Sequence, residues 1–137
     1  MGLQYSTTVR NAQLDALETA VGVSAVLKIY DLTAGAPANC AAAITGTVLA
    51  TMSLPSDWMA AASAGSKAML GTWQDASADA AGTADFWRLF ASDGTTVHAQ
   101  GTCTATGGGG DLTLDNPVIA AGQSVTVTSF TISAGNA

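Results

Sequence analysis

Between Thr7 and Gly22 the apolar residues Val9, Leu14, Leu17 and Val21 recur at roughly helical spacing, with Asp15 and Glu18 on the other side. Thr7 or Thr8 can cap the start, and Gly22 stands where a left-handed C-cap is wanted. The spacing predicts one N-terminal helix. After Gly22 the period falls to two. In "AVLKIYDL" Leu27 and Ile29 share a face opposite Lys28 and Tyr30, and in "TVLATMSL" Val48, Ala50, Met52 and Leu54 align before Pro55 ends the run. Thr33 to Asn39, "TAGAPAN", is loop chemistry.

From Pro55 onward the pattern weakens. Trp58-Met59 reads as a short strand, and "KAMLGTW" as a strand interrupted at Gly71. Residues 74–84, "QDASADAAGTA", carry no apolar anchor and predict a long exposed loop or a single helical turn. The clearest hairpin spans Ala84 to Ala99, with Asp93-Gly94 at its tip. Its first strand puts Phe86, Arg88 and Phe90 on one face and Trp87 and Leu89 on the other. Its return strand puts Val97, Ala99, Gly101 and Cys103 inward, and His98, Gln100 and Thr102 toward solvent. "DLTL" opens another strand. In "SVTVTSFTIS", Val125 and Val127 have one parity and Phe130 and Ile132 the other, which predicts a β-bulge near Thr128-Ser129. The sum is a mainly β chain: an antiparallel β-sandwich of about seven or eight strands over residues 23–137, preceded by a helical segment over residues 1–22.

Composition changes the picture of the surface. Only 10% of the 137 residues are charged, against about 25% in an ordinary soluble domain. The outside must be Ser, Thr, Gly, Ala, Asn and Gln, which costs little to desolvate and suits packing against neighbours, including further copies of itself. Arg10, Lys28, Lys67 and Arg88 are scattered and the net charge is −6. Nucleic acid and an anionic membrane surface are therefore not expected partners. The opening "MGLQYSTTVR" lacks an apolar signal run and fits the loose myristoylation pattern only in the cheapest way. The uncharged stretch 32–56 is broken by Pro37, Pro55, Asn39 and several Thr and Gly, which argues against a spanning helix.

At each motif that could carry chemistry, packing is the competing reading. The four glycines of "TATGGGGDLTLDN" lack the following Lys and the helix that a phosphate loop needs, and Asp111 would repel an anion. They read as a flexible link between strands. Asp111, Asp115 and Asn116 offer oxygen ligands without the order of a calcium loop. His98 has no nucleophile elbow near it, and Asp75, Asp79 and Asp85 lie in or beside a solvated loop. Cys40 and Cys103 read as two buried thiols, with one long-range disulfide as the alternative. No metal or other cofactor is expected. Trp58, Trp73 and Trp87 either stack on sugars, as in a carbohydrate-binding module, or fill a core short of large side chains.

The segments "DGTTVHAQGTCTATGGGGDLTLDNPVIAAGQSVTVTSFTIS", "LQYSTTVRNAQLDALETAVG" and "LPSDWMAAASAGSKAMLGTWQDASA" resemble small structural proteins of tailed bacteriophages. The resemblance spans most of the chain and rests on texture, with no catalytic residue to carry over. It implies a place in the virion, in contact with the major capsid protein or other virion proteins. Low charge, a β-sandwich and a detachable N-terminal segment point to a non-enzymatic head-decoration (cement) protein. A tail-associated or fibre module is the alternative. In that picture Val9, Leu14 and Leu17 form a docking stripe, unless they simply pack the helix on its own body, and Trp87 and Leu89 are further interface candidates.

Overall fold

The computed structural model describes residues 1–137. Helix α1 runs Thr7–Val21. Its cap is Ser6, one residue ahead of the expected threonines: the Ser6 hydroxyl accepts from the Val9 N–H at 3.3 Å. At the other end Gly22, at φ 92°, donates its N–H to the Glu18 carbonyl. Leu14 and Val21 are buried, and Leu17 packs against the core. Polar groups complete the seam. Arg10 Nε donates to the Ala134 carbonyl (3.1 Å), Gly65 N–H to Asn11 (2.8 Å), and Lys67 Nζ to Asp15 (2.7 Å).

The strands are β1 (Val26–Leu32), β2 (Gly46–Ser53), β3 (Ser66–Ala68), β4 (Gln74–Asp75), β5 (Gly82–Thr83), β6 (Phe86–Phe90), β7 (Val97–Ala105), β8 (Leu112–Leu114), β9 (Val118–Ile119) and β10 (Val125–Ser133). Eight of them form one sheet in the order β2-β1-β6-β7-β8-β10-β3, with β4 also on β10, and β5 pairs β9 separately. The sheet is mixed: β7 and β8 run parallel, which corrects the purely antiparallel expectation. The sheet curls. Asp79 N–H donates to the Leu49 carbonyl (2.7 Å) and Thr51 N–H to Asp75 (3.0 Å), so the β2 edge meets the segment that carries β4.

Side-chain parity explains most of the core. Leu27 and Ile29 of β1 lie opposite Met52 and Ala50 of β2 and Leu89 and Trp87 of β6. A bulge between Ile29 and Tyr30 resets β2, so Val48 faces Tyr30 while Leu49 turns into the core. The expected alignment of Val48 with Ala50 fails for that reason. The expected bulge in β10 is present: the register shifts between Val127 and Ser129, and Val125, Val127 and Phe130 are buried together.

Two expectations fail because distant segments pack where periodicity left positions open. Every residue of β6 is buried. Arg88 Nη2 donates to the carbonyls of Ala42 (2.6 Å) and Asn39 (3.3 Å), and Gln100 donates to that of Pro37. The 37–42 loop thus lies over Gln100, one of three residues assigned to solvent; the other two, His98 and Thr102, are exposed as expected. Residues 74–84 are also not a bare loop. They hold β4 and β5, with Ala78 and Ala84 buried; alanines anchor where no large side chain does. Trp58-Met59 forms only an isolated bridge to Met69.

Candidate functional site

The glycine run closes an unusual turn. Parallel strands ordinarily need a crossover of about a dozen residues, yet six residues, 106–111, take β7 back to β8 so that Cys103 lies beside Leu112. Gly107 and Gly109 have φ 83°. A Cβ on Gly108 would sit 2.8 Å from the Thr104 side chain, and one on Gly110 2.9 Å from it. Thr104 Oγ1 accepts the Gly110 N–H (3.0 Å), and Asp111 accepts from Thr102 N–H (3.0 Å). The link is structural, as expected, but it is a shaped turn and not slack.

The aspartates are likewise engaged at home. Asp31 accepts from Thr83 N–H, Asp85 from Leu32 N–H, and Asp75 from Thr51 and Ser77. Asp79 accepts the Thr51 hydroxyl at 2.9 Å. Asp115 accepts from Thr126 and Asn116, and Asn116 from Val118. The calcium candidates therefore point at different backbone donors, and no three metal-ligating side chains converge anywhere. Hydrogen bonds from the hydroxyl and N–H of Thr96, then from Thr95 N–H, hold the Asp93 carboxyl well below the ordinary range.

The cations are engaged too. Arg10 is on Ala134, Lys28 is on the Gly94 carbonyl with the Phe90 ring 4.8 Å away, and Arg88 is on the 39–42 loop. Lys67 is buried between Asp15 and Glu18. Burial works against its charge, but the Asp15 hydrogen bond and the Glu18 and Asp15 charges prevail, so its pKa is raised. Asp15 is correspondingly lowered, first by the Lys67 hydrogen bond and then by the Ala62 N–H.

The interface candidates separate. Val9 is 42% exposed, while Leu14 is buried, Leu17 packs on the core, and Trp87 and Leu89 lie inside the sheet. A stripe of all three helix residues thus offers only Val9 to a partner; the packing alternative accounts for the others. The tryptophans are interior: Trp58, Trp73 and Trp87 are each under 5% exposed. Trp73 and Trp87 both meet Phe130, at 5.3 and 5.1 Å between ring centroids. They provide no sugar platform. His98 is exposed on β7. Cys40 and Cys103 are free, and burial, then the Asp85 charge, pushes the Cys103 thiol up to about 12.

Two concavities remain. One, about 440 Å³, lies at the C-terminal end of α1 between Glu18, Val23, Asp57 and Trp58. The other, about 490 Å³, opens between β7 and β10, with Trp87 and Phe130 beneath and Asp111 at one end. Sequence reasoning missed the second. Its only trace is a length mismatch: "LTL" is three residues, and both its neighbours run nine.

No family model, curated protein or solved structure matches the chain.

Proposed function

We propose that this chain is a non-enzymatic structural protein of a tailed-bacteriophage virion, a decoration (cement) protein that binds the outer capsid lattice. The observation that carries the reading is the use of its charges. All four cations and most of its carboxylates are committed to intramolecular partners, which leaves a surface dominated by hydroxyl, amide and small side chains. Away from its carboxylates such a surface is cheap to dehydrate, and it has no uncommitted cation with which to make ionic contacts. An interface of standard size needs roughly 800 Å² from each partner, a modest part of the 6613 Å² available here. A protein that binds only assembled shells stabilises them by mass action. The resemblance in sequence texture supports the same setting.

The test is to place labelled protein on purified particles and on empty heads, across a range of salt. Density over the head surface, retained at high salt because little of the contact is ionic, is the expected result. Label confined to the tail favours the fibre-module alternative and sinks the cement reading, as does failure to bind empty heads.

A further inference from the structure

The slot between β7 and β10 has the form of a missing strand. β8 pairs with Cys103–Ala105 of β7 on one side and with Val127–Phe130 of β10 on the other. Beyond Leu112 its line stops. Residues 97–101 of β7 and 131–133 of β10 then have no strand between them, and the slot occupies that place. Where β8 lies between them, β7 and β10 stand two strand spacings apart, roughly 9.5 Å. The head of the slot therefore has the width of one extended chain.

Its walls present backbone groups. Thr102 N–H bonds Asp111 on the β8 side and Cys103 N–H bonds Asp85 on the β6 side. By strand alternation the Gln100 N–H and C=O point into the slot. On β10, the Phe130 carbonyl accepts from Met69 and Ala134 N–H donates to Gly65, both on the β3 side. Thr131 and Ser133 therefore turn their N–H and C=O to the slot. Trp87, Ala99, Phe130 and Ile132 supply an apolar floor.

The chain carries a segment of matching form. Met1, Leu3 and Tyr5 alternate with Gly2, Gln4 and Ser6, the pattern of a half-buried strand, yet Met1 and Leu3 are exposed, Leu3 at 68%. The segment's ties to the body are at the end of β10: Tyr5 N–H to the Asn136 carbonyl (2.6 Å) and the Gln4 side chain to that of Ala137 (3.2 Å). It has no charged side chain, and Asp111 is the only charged residue lining the slot. Five extended residues span about 17 Å, the length of the unpaired 97–101 edge of β7.

We propose that the β7–β10 slot takes the N-terminal arm of a second copy as an added strand, with Leu3 laid over the Trp87–Phe130 floor, so that the protein self-associates by arm exchange. This does not depend on where in a particle the protein sits. Light scattering on the purified protein should give two or more times 13.5 kDa, in whole multiples. Gln4→Pro, which removes a strand N–H from the arm, should return it to the single-chain mass. Ser133→Pro removes an N–H that faces only the slot, and should do the same while the thermal melt stays cooperative. A cross-link decides the matter even if that variant fails to fold. With Cys40→Ser, Gln4→Cys and Thr131→Cys, both new thiols on the outward face, diamide oxidation should join two chains. A wild type of single-chain mass at every concentration overturns the proposal. So do an oligomer untouched by Gln4→Pro, a disulfide formed only within one chain, and a slot filled solely by a different protein's strand on the particle.

Discussion

Replacing the glycines of the 107–110 turn one at a time with alanine separates a shaped turn from a slack linker. At Gly107 and Gly109 the Cβ meets nothing, but φ is 83°. A left-handed L-residue costs about 1–2 kcal/mol, and the stiffer unfolded chain returns about 0.4–1 kcal/mol. The net loss is therefore at most about 1.6 kcal/mol. At Gly108 the Cβ would lie 2.8 Å from Thr104 Cβ and 3.0 Å from the Ala105 carbonyl oxygen, neither of which can swing away. That is overpacking against backbone and should cost about 2–3 kcal/mol. At Gly110 the closest atoms are Thr104 Cγ2 and Oγ1, both at 2.9 Å. Thr104→Ala deletes those two atoms, so the double variant with Gly110→Ala should show a favourable coupling of about 1 kcal/mol. The same background should not rescue Gly108→Ala, because Cβ of residue 104 remains. Urea unfolding followed by tryptophan fluorescence reads these values from midpoints at constant slope. Four alanine variants all within about 0.5 kcal/mol of wild type would refute the reasoning, since that is how an unconstrained surface link behaves.

Three further outcomes are expected. At mildly alkaline pH a thiol reagent should label half-buried Cys40 first, and Cys103, whose thiol is pushed up to about 12, only on unfolding; simultaneous labelling would contradict the burial. Thr113 is buried, with its hydroxyl 2.7 Å from that of Thr128 and 2.6 Å from that of Ser129, so it pins the β10 bulge. Thr113→Val should cost about 1 kcal/mol by thermal melt, the lost partners being free to turn to water. The Asp15 carboxyl is held below its ordinary 3.8, so its contribution is present above that pH and lost as pH falls through the folded value. Stability should decline below about pH 4, and an acid titration of Asp15→Asn should show a shallower decline.

Much of the fold was legible because its signals are local. The α1 period, the Gly22 cap, the Asp93-Gly94 hairpin and the parity break in β10 each lie within a short window, and all four stand in the structure. What failed depended on distant segments. Gln100 of β7 reads as solvent-facing until residues 37–42 cover it, while its neighbours His98 and Thr102 stay exposed. The alanines of 74–84 carry no visible pattern, and their burial comes from the curl that brings β2 against them. The parallel β7–β8 pair was hidden because so short a connection implies a hairpin; only the glycines let the chain return in the same direction. The tryptophans had two readings, and packing of Trp73 and Trp87 on Phe130 decides between them.

The sparse charges have one structural use that the sequence did not suggest. A curled sheet must deal with its edges, and natural proteins commonly blunt them with lysine or proline. This chain has too few cations for that and places carboxylates there instead. Asp75 and Asp79 both meet Thr51 on the β2 edge, Asp31 takes the Thr83 N–H of β5, and Asp111 takes the Thr102 N–H of β7. Asp75, Asp31 and Asp111 each accept a backbone N–H that an intruding strand would otherwise find, and Asp79 holds the Thr51 hydroxyl beside them. Asp111 satisfies only the last donor at the head of the β7–β10 slot. The Gln100 N–H below it, and those of Thr131 and Ser133 across from it, face a gap with no carboxylate beside them. An edge guarded at β2 beside one strand-wide slot left open fits the arm exchange proposed above, in which the entering strand is uncharged and alternating.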